Sequence, residues 1–236
     1  MVLHIYRLAI LRNKKDAGLS LHQCLFIVLI ACSRRVHSIF ILRCFNDCFA
    51  VTFTYIAVYL LMKSRIVPSL IMLSIGISIK MSAMLYLPAL LLNLNYHFGL
   101  VKTALSIVFL IVMQFIIGLE WILHDWKAYI GKAFEFDRVF MFKWSVNWQF
   151  LGEEVATGKK LAQYLLIAHL GLLLIFLIFK WSNLIRNRSI GVLFVELRLN
   201  ELFSNCRPRI LDPRFVALSM FTCNLIGILC ARSLHY

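Results

Sequence analysis

Neither the stretch from Thr103 to Leu119 nor that from Leu161 to Phe179 contains a single Asp, Glu, Lys or Arg. A helix needs about 20 apolar residues to cross a hydrocarbon layer about 30 Å thick, and both runs approach that length. Neither shows the period-two alternation of a half-buried strand. No water is available in lipid to satisfy backbone N–H and C=O groups, so only helices or a closed barrel can cross it, and uninterrupted apolar runs select helices. Five further runs, residues 17–33, 48–62, 66–79, 81–94 and 215–231, are equally free of charge. The chain is therefore expected to be all-α, a polytopic membrane protein of about seven helical spans forming one domain over residues 1–236.

Composition supports the same class. Hydrophobic residues make up 61% of the 236 residues, charged residues only 15%, and the mean hydropathy is +0.83, which excludes a soluble domain of this size. A net charge of +14 would suggest nucleic acid in a soluble chain. Here the bases fall mainly between apolar runs, where they orient spans and meet lipid phosphates, so no nucleic-acid partner is expected. Seven cysteines fit no metal spacing: Cys24, Cys32, Cys223 and Cys230 lie in apolar runs, and Cys44 and Cys48 form a lone C-x-x-x-C. Free thiols and no metal site are expected. The first eighteen residues mix Arg7, Arg12, Lys14 and Lys15 with scattered apolar residues, so no signal peptide is expected.

Between the runs, polarity is unevenly shared. Arg34 to Asp47 interleaves bases with apolar residues at helical spacing and reads as an amphipathic helix at the membrane surface. Lys80 is the single charge in the apolar stretch from 66 to 94. A charge at mid-bilayer is costly, so two short spans with Lys80 at the turn between them are preferred to one tilted helix. A polar link, Asn93 to Lys102, leads to the next span. Residues 120–160 are read as a loop on the membrane face, carrying Trp121, Trp126, Trp144 and Trp148 among five phenylalanines, with six acidic and six basic residues. Seven crossings give one side the leader, Lys63, Arg65, Lys102 and the basic stretch 180–214, and the positive-inside rule makes that side cytoplasmic. The aromatic loop, Arg34 to Asp47, Lys80 and Arg232 to Tyr236 then share the other face.

Several of these residues suit a sugar held beside a lipid. Lys80, Arg35, Arg43 and Arg232 are candidates to stabilise a phosphate; the plainer readings are a lysine snorkelling from a helix end and arginines meeting headgroups. Asn46 and Asp47 would orient a sugar hydroxyl or cap the following span. Trp144, Asn147 and Trp148 would hold a glycan by stacking and hydrogen bonding, or anchor the loop as an aromatic belt. His235 is a weaker candidate as phosphate or hydroxyl partner. No Gly-rich phosphate loop, Ser/His/Asp set or zinc spacing is present, and no cofactor is evident.

Four ordered blocks carry a family resemblance. They are Arg35-Val36-His37-Ser38-Ile39-Phe40-Ile41-Leu42-Arg43-Cys44-Phe45-Asn46-Asp47; Ile79-Lys80-Met81-Ser82; Phe142-Lys143-Trp144-Ser145-Val146-Asn147-Trp148-Gln149-Phe150; and Phe221-Thr222-Cys223-Asn224-Leu225-Ile226-Gly227-Ile228, continuing to Arg232-Ser233-Leu234-His235-Tyr236. Together they resemble the endoplasmic-reticulum dolichyl-phosphate-mannose:Man5GlcNAc2-PP-dolichol alpha-1,3-mannosyltransferases. The resemblance implies a GT-C type fold and a multi-pass endoplasmic-reticulum membrane location with a lumenal active site. It further implies transfer of mannose from dolichyl-phosphate mannose to the dolichyl-diphosphate oligosaccharide that precedes protein N-glycosylation. The family carries an acidic Glu-Ile-Asp-Trp motif in its first lumenal loop, which residues 1–33 do not contain, and continues beyond Tyr236; the chain is expected to lack both ends. Asp47, Asp125 and Glu153 lie on the expected face, but none occupies that motif, so the catalytic base is unassigned. The alternatives are a dolichyl-phosphate-sugar transferase with another acceptor and a catalytically silent, truncated member of the family. A small transporter is disfavoured because Lys80 alone resembles a mid-span charge.

Overall fold

The computed structural model describes residues 5, 21–34, 38, 45–133, 142, 148–181 and 210–231. Among these the chain is helical throughout, with no strand. The α-helices are α1 (Leu21–Ala31), α2 (Asp47–Met62), α3 (Ile66–Ile79), α4 (Leu87–Phe98), α5 (Leu100–Ile117), α6 (Leu119–Ala133), α7 (Glu153–Thr157), α8 (Lys159–Phe176) and α9 (Pro213–Leu229). A 3-10 segment, Met81–Tyr86, separates α3 from α4. Most of the amphipathic helix expected over 34–47 lies outside the described residues.

The hairpin α2–α3 positions the site. At its closed end Ser64 takes the left-handed φ of 57°, the amide of Ser64 donates to the carbonyl of Leu61 (2.8 Å) and that of Arg65 to the carbonyl of Leu60 (2.9 Å). This pair of bonds is the Schellman stop, which satisfies the last carbonyls and turns the chain back sharply. The returning helix packs through small residues. Ser69 donates its hydroxyl to the carbonyl of Ala57 at 2.7 Å, and a Cβ on Gly76 would stand 2.9 Å from Thr54 Oγ1. Close backbone approach of this kind is how helices associate where lipid competes for every larger apolar surface.

Helix α9, the last of the described helices, packs against α2, the 3-10 segment, α4 and α8. Val216, Ser219, Met220 and Cys223 are essentially inaccessible, and Val216, Met220 and Cys223 belong to one apolar cluster with Ala57, Val58 and Leu61 of α2, Leu70 and Leu73 of α3, and Leu90 and Leu94 of α4. Its start is set by Asp212, whose carboxylate accepts from the amide of Arg214 at 3.0 Å, with Pro213 in the first helical position; both are standard helix-start chemistry. Gln114 of α5 donates to the carbonyl and the hydroxyl of Ser74 on α3, at 2.8 and 2.7 Å.

Among the described residues two helices, Leu100–Ile117 and Lys159–Trp181, are long and apolar enough to cross a membrane; only 17% and 6% of their apolar windows are buried in the bundle. The second includes the π-helical turn Leu177–Trp181 that extends α8. At 1.5 Å per residue, the 16 residues of α2 and 14 of α3 reach about 24 and 21 Å, short of a hydrocarbon core of about 30 Å.

Two expectations change in the folded chain. The polar link Asn93 to Lys102 is instead continuous helix broken only at Gly99, whose φ of 88° is open to glycine at little cost. Asn93 is polar because it is a core contact, not a linker: its amide donates to Ser219 Oγ at 2.9 Å and to the carbonyl of Ala89 at 2.7 Å. Within 120–160, read as a loop, Leu119–Ala133 is helical with a break at Asp125 (φ −154°). There the Asp125 carboxylate accepts from the amide of Ala128 at 3.0 Å and starts the helix afresh.

Candidate functional site

Because α2 and α3 form an antiparallel hairpin, Asn46 and Asp47 at the start of α2 meet Ile79 and Lys80 at the end of α3. Consecutive residues grip consecutive residues: the Asn46 side-chain amide donates to the carbonyl of Ile79 at 3.4 Å, and the Lys80 ammonium donates to Asp47 Oδ1 in an ion pair. Both charged side chains are partly exposed, Lys80 at 30% and Asp47 at 17%. Each charge sits on the helix end that favours it. Asp47 is in the first turn of α2, where the macrodipole is positive, and Lys80 ends α3, where it is negative. The backbone of Lys80 is extended (φ −150°, ψ 123°), which breaks the helix and lets the chain enter the 3-10 segment.

The same end of the bundle receives the other blocks. The Cys223 thiol donates to the carbonyl of Leu85 at 3.2 Å, and a Cβ on Gly227 would stand 2.6 Å from Leu85 Cδ2, so α9 lies directly against the segment that follows Lys80. Phe221 of α9 meets Tyr55 of α2 edge-on at 5.2 Å between centroids and Tyr86 at 6.3 Å. Beyond α9, the carbonyl of Ala231 accepts from the indole N–H of Trp148 at 3.1 Å, and Trp148 lies 5.9 Å from Phe150, centroid to centroid.

Of the residues singled out in the sequence, the structure brings together Lys80, Asn46 and Asp47 as one contact set and docks Trp148 beside the end of α9. Arg35, Arg43, Trp144, Asn147, Arg232 and His235 lie outside the described residues. The capping role weighed for Asn46 and Asp47 is not what their side chains do. Asn46 stands at the N-cap of α2 without a side-chain cap bond and reaches across to α3 instead, while Asp47 pairs with Lys80. The indole donor of Trp148, considered for a glycan, is engaged by the protein backbone. The Asp47–Lys80 pairing was missed in the sequence, yet its signal is there. The two residues lie almost equally far along the chain from the Lys63-Ser64-Arg65 turn, at the outer borders of two adjacent apolar runs. Among the described residues no group of His, Cys, Asp and Glu is gathered as for a metal ion.

Comparison with known proteins agrees with the four blocks. A family model described as ALG3 protein matches residues 3–236. The chain belongs to the ALG3 family. This ALG3-family chain is 36% identical over 212 residues to the probable Dol-P-Man:Man(5)GlcNAc(2)-PP-Dol alpha-1,3-mannosyltransferase of Dictyostelium discoideum, covering 89% of this chain and 46% of that protein. It is 37% identical over 216 residues to the Arabidopsis thaliana protein of the corresponding name (88% and 49%), and 33% identical over 211 residues to the Homo sapiens one (89% and 47%). The chain thus spans about half the length of the curated relatives it matches. No solved structure matches it.

Proposed function

We propose that this chain carries part of an alpha-1,3-mannosyltransferase that moves mannose from dolichyl-phosphate mannose to Man5GlcNAc2-PP-dolichol at the lumenal face of the endoplasmic-reticulum membrane, within a polytopic GT-C-like bundle. The relatives' names supply the reaction. The observation that carries the reading is the position of Lys80. It is the one charge in the apolar stretch 66–94, it is partly open at the bundle end, and the matched blocks of α9 and Trp148 lie at that same end.

In such a transfer the acceptor hydroxyl oxygen bonds to the anomeric carbon of mannose as the bond from that carbon to the phosphate oxygen breaks. The hydroxyl proton passes to a carboxylate, and dolichyl phosphate leaves carrying the extra negative charge. A fixed cation where that charge develops is worth a factor of roughly 100 or more in rate, and Lys80 is the described residue best situated for this. The test is to express a full-length protein bearing these blocks in cells lacking the endogenous activity and follow the size of the lipid-linked oligosaccharide. Lys80→Ala is expected to leave the five-mannose intermediate accumulating, while Lys63→Ala, altering an exposed lysine in the opposite turn, supports elongation. Equal elongation by the two variants would refute the phosphate role of Lys80.

A further inference from the structure

We infer that Asp47 is a positioning residue for the donor phosphate, acting through Lys80 and touching no substrate itself; this rests on the phosphate role proposed above for Lys80. A lysine ammonium on its four-carbon stem is a mobile charge, and ordering it costs rotamer entropy. Stabilising a departing phosphate requires that charge to be held within about 0.5 Å of one place. The Asp47 carboxylate supplies the hold, and three features make the hold rigid. Asp47 is part of the first turn of α2, not of a loop. Its neighbour Asn46 ties the backbone of Ile79, one residue before the lysine. One turn further in, Gly76 lets α3 approach Ala50 and Thr54 of α2 so closely that a Cβ there has no room. The amide of Lys80 donates to the carbonyl of Gly76 at 3.0 Å, so the backbone bearing the lysine is fixed to this close contact of the hairpin.

The carboxylate has a second effect. An isolated cation at the rim of a low-dielectric bundle is costly, and a paired one is far less so, so Asp47 holds Lys80 in register before a donor arrives. An anionic phosphate then meets an ammonium already in position. Asp47 makes and breaks no bond in the transfer. The positioning role accounts for a carboxylate beside the phosphate candidate without making it the base.

A staple that only closes the hairpin would show the same ion pair, so the experiment separates the two by charge exchange. In a full-length protein bearing these blocks, Asp47→Asn, Asp47→Glu, Lys80→Ala and the exchanged double variant Asp47→Lys/Lys80→Asp are compared with the unaltered protein in microsomes, titrating dolichyl-phosphate mannose and acceptor separately, with melting in detergent as the folding control. Loss of a residue that orients a working group typically costs 10- to 100-fold. Asp47→Asn is therefore expected to lower kcat/KM for the donor by about 10- to 100-fold with the acceptor KM unchanged, and Asp47→Glu to recover part of it. The exchanged variant is expected to keep the ion pair, to stay folded with a slightly lowered melting point because each charge now meets the disfavouring helix end, and to remain impaired, because the cation now stands on α2. Recovery of activity in the exchanged variant would overturn the inference in favour of a staple. So would an unaltered donor kcat/KM in Asp47→Asn while Lys80→Ala is impaired. An unimpaired Lys80→Ala would instead remove the phosphate reading on which the role of Asp47 rests.

Discussion

Replacing Gly76 by Ala tests whether the narrow approach of α2 and α3 is real and whether it serves the site. The new Cβ would lie 2.9 Å from Thr54 Oγ1 and 3.4 Å from the carbonyl oxygen of Ala50. The first contact is too short by about half an ångström, and the obstructing oxygen cannot swing away at little cost. Thr54 is 2% exposed, is β-branched, and its hydroxyl donates to the carbonyl of Ala50 at 2.7 Å. Overpacking of this kind costs about 1–3 kcal/mol, while exchanging Gly for Ala inside a helix returns about 1 kcal/mol, so the net loss is about 0–2 kcal/mol. The sharper quantity is the coupling to residue 54. In a Thr54→Ala background the nearest remaining atoms are at 3.4 and 3.6 Å, and the substitution becomes stabilising by about 1 kcal/mol. A coupling energy of about 1–3 kcal/mol is therefore expected from the four proteins of the cycle, unfolded reversibly in mixed micelles and followed by circular dichroism. Because Lys80 is bonded to Gly76 through its backbone, Gly76→Ala should also reduce donor turnover, and Thr54→Ala should restore it. Additivity within about 0.5 kcal/mol would refute the close approach.

Gln114→Leu removes both bonds to Ser74 and leaves a buried hydroxyl without that donor; it is expected to cost about 1 kcal/mol in the same unfolding measurement. Trp148→Phe keeps a ring against Phe150 but loses the donor to Ala231, so hydrogen exchange at the end of α9 should quicken while the melting of the bundle is unchanged. Asn187-Arg188-Ser189, the sole N-x-S/T sequence in the chain, falls in the stretch assigned to the cytosol and should stay unglycosylated in microsomes. A glycosidase-sensitive shift that disappears in Asn187→Gln would invert the proposed orientation.

The sequence by itself determined where the helices of the uncharged apolar runs form, though not those in the segments read as a link and a loop. A run of residues without charge or strand periodicity has one low-energy solution in lipid, and this is a local property. The helix Ile66–Ile79 coincides with the run bounded by Arg65 and Lys80, and α2, α5 and α8 each begin within three residues of the expected run. The family was legible too, because its blocks are contiguous strings. Which side of each helix faces its neighbours was not. Helices that are apolar all round carry little rotational signal, since lipid and protein interior reward the same side chains. The inward face of α3 mixes Ser69, Ser74 and Gly76 with Ile66, Leu70 and Leu73, all buried, while Val67 is left 57% exposed, so apolar character alone does not mark the buried side. That small-residue contact decides how closely α2 and α3 lie, and so whether Asp47 reaches Lys80. The core position of Asn93 depends likewise on Ser219, far away in the chain. The engagement of Trp148 by Ala231 depends on where α9 packs against α2, the 3-10 segment and α4. These pairings come from the packing of distant helices, so only the tertiary structure decided them.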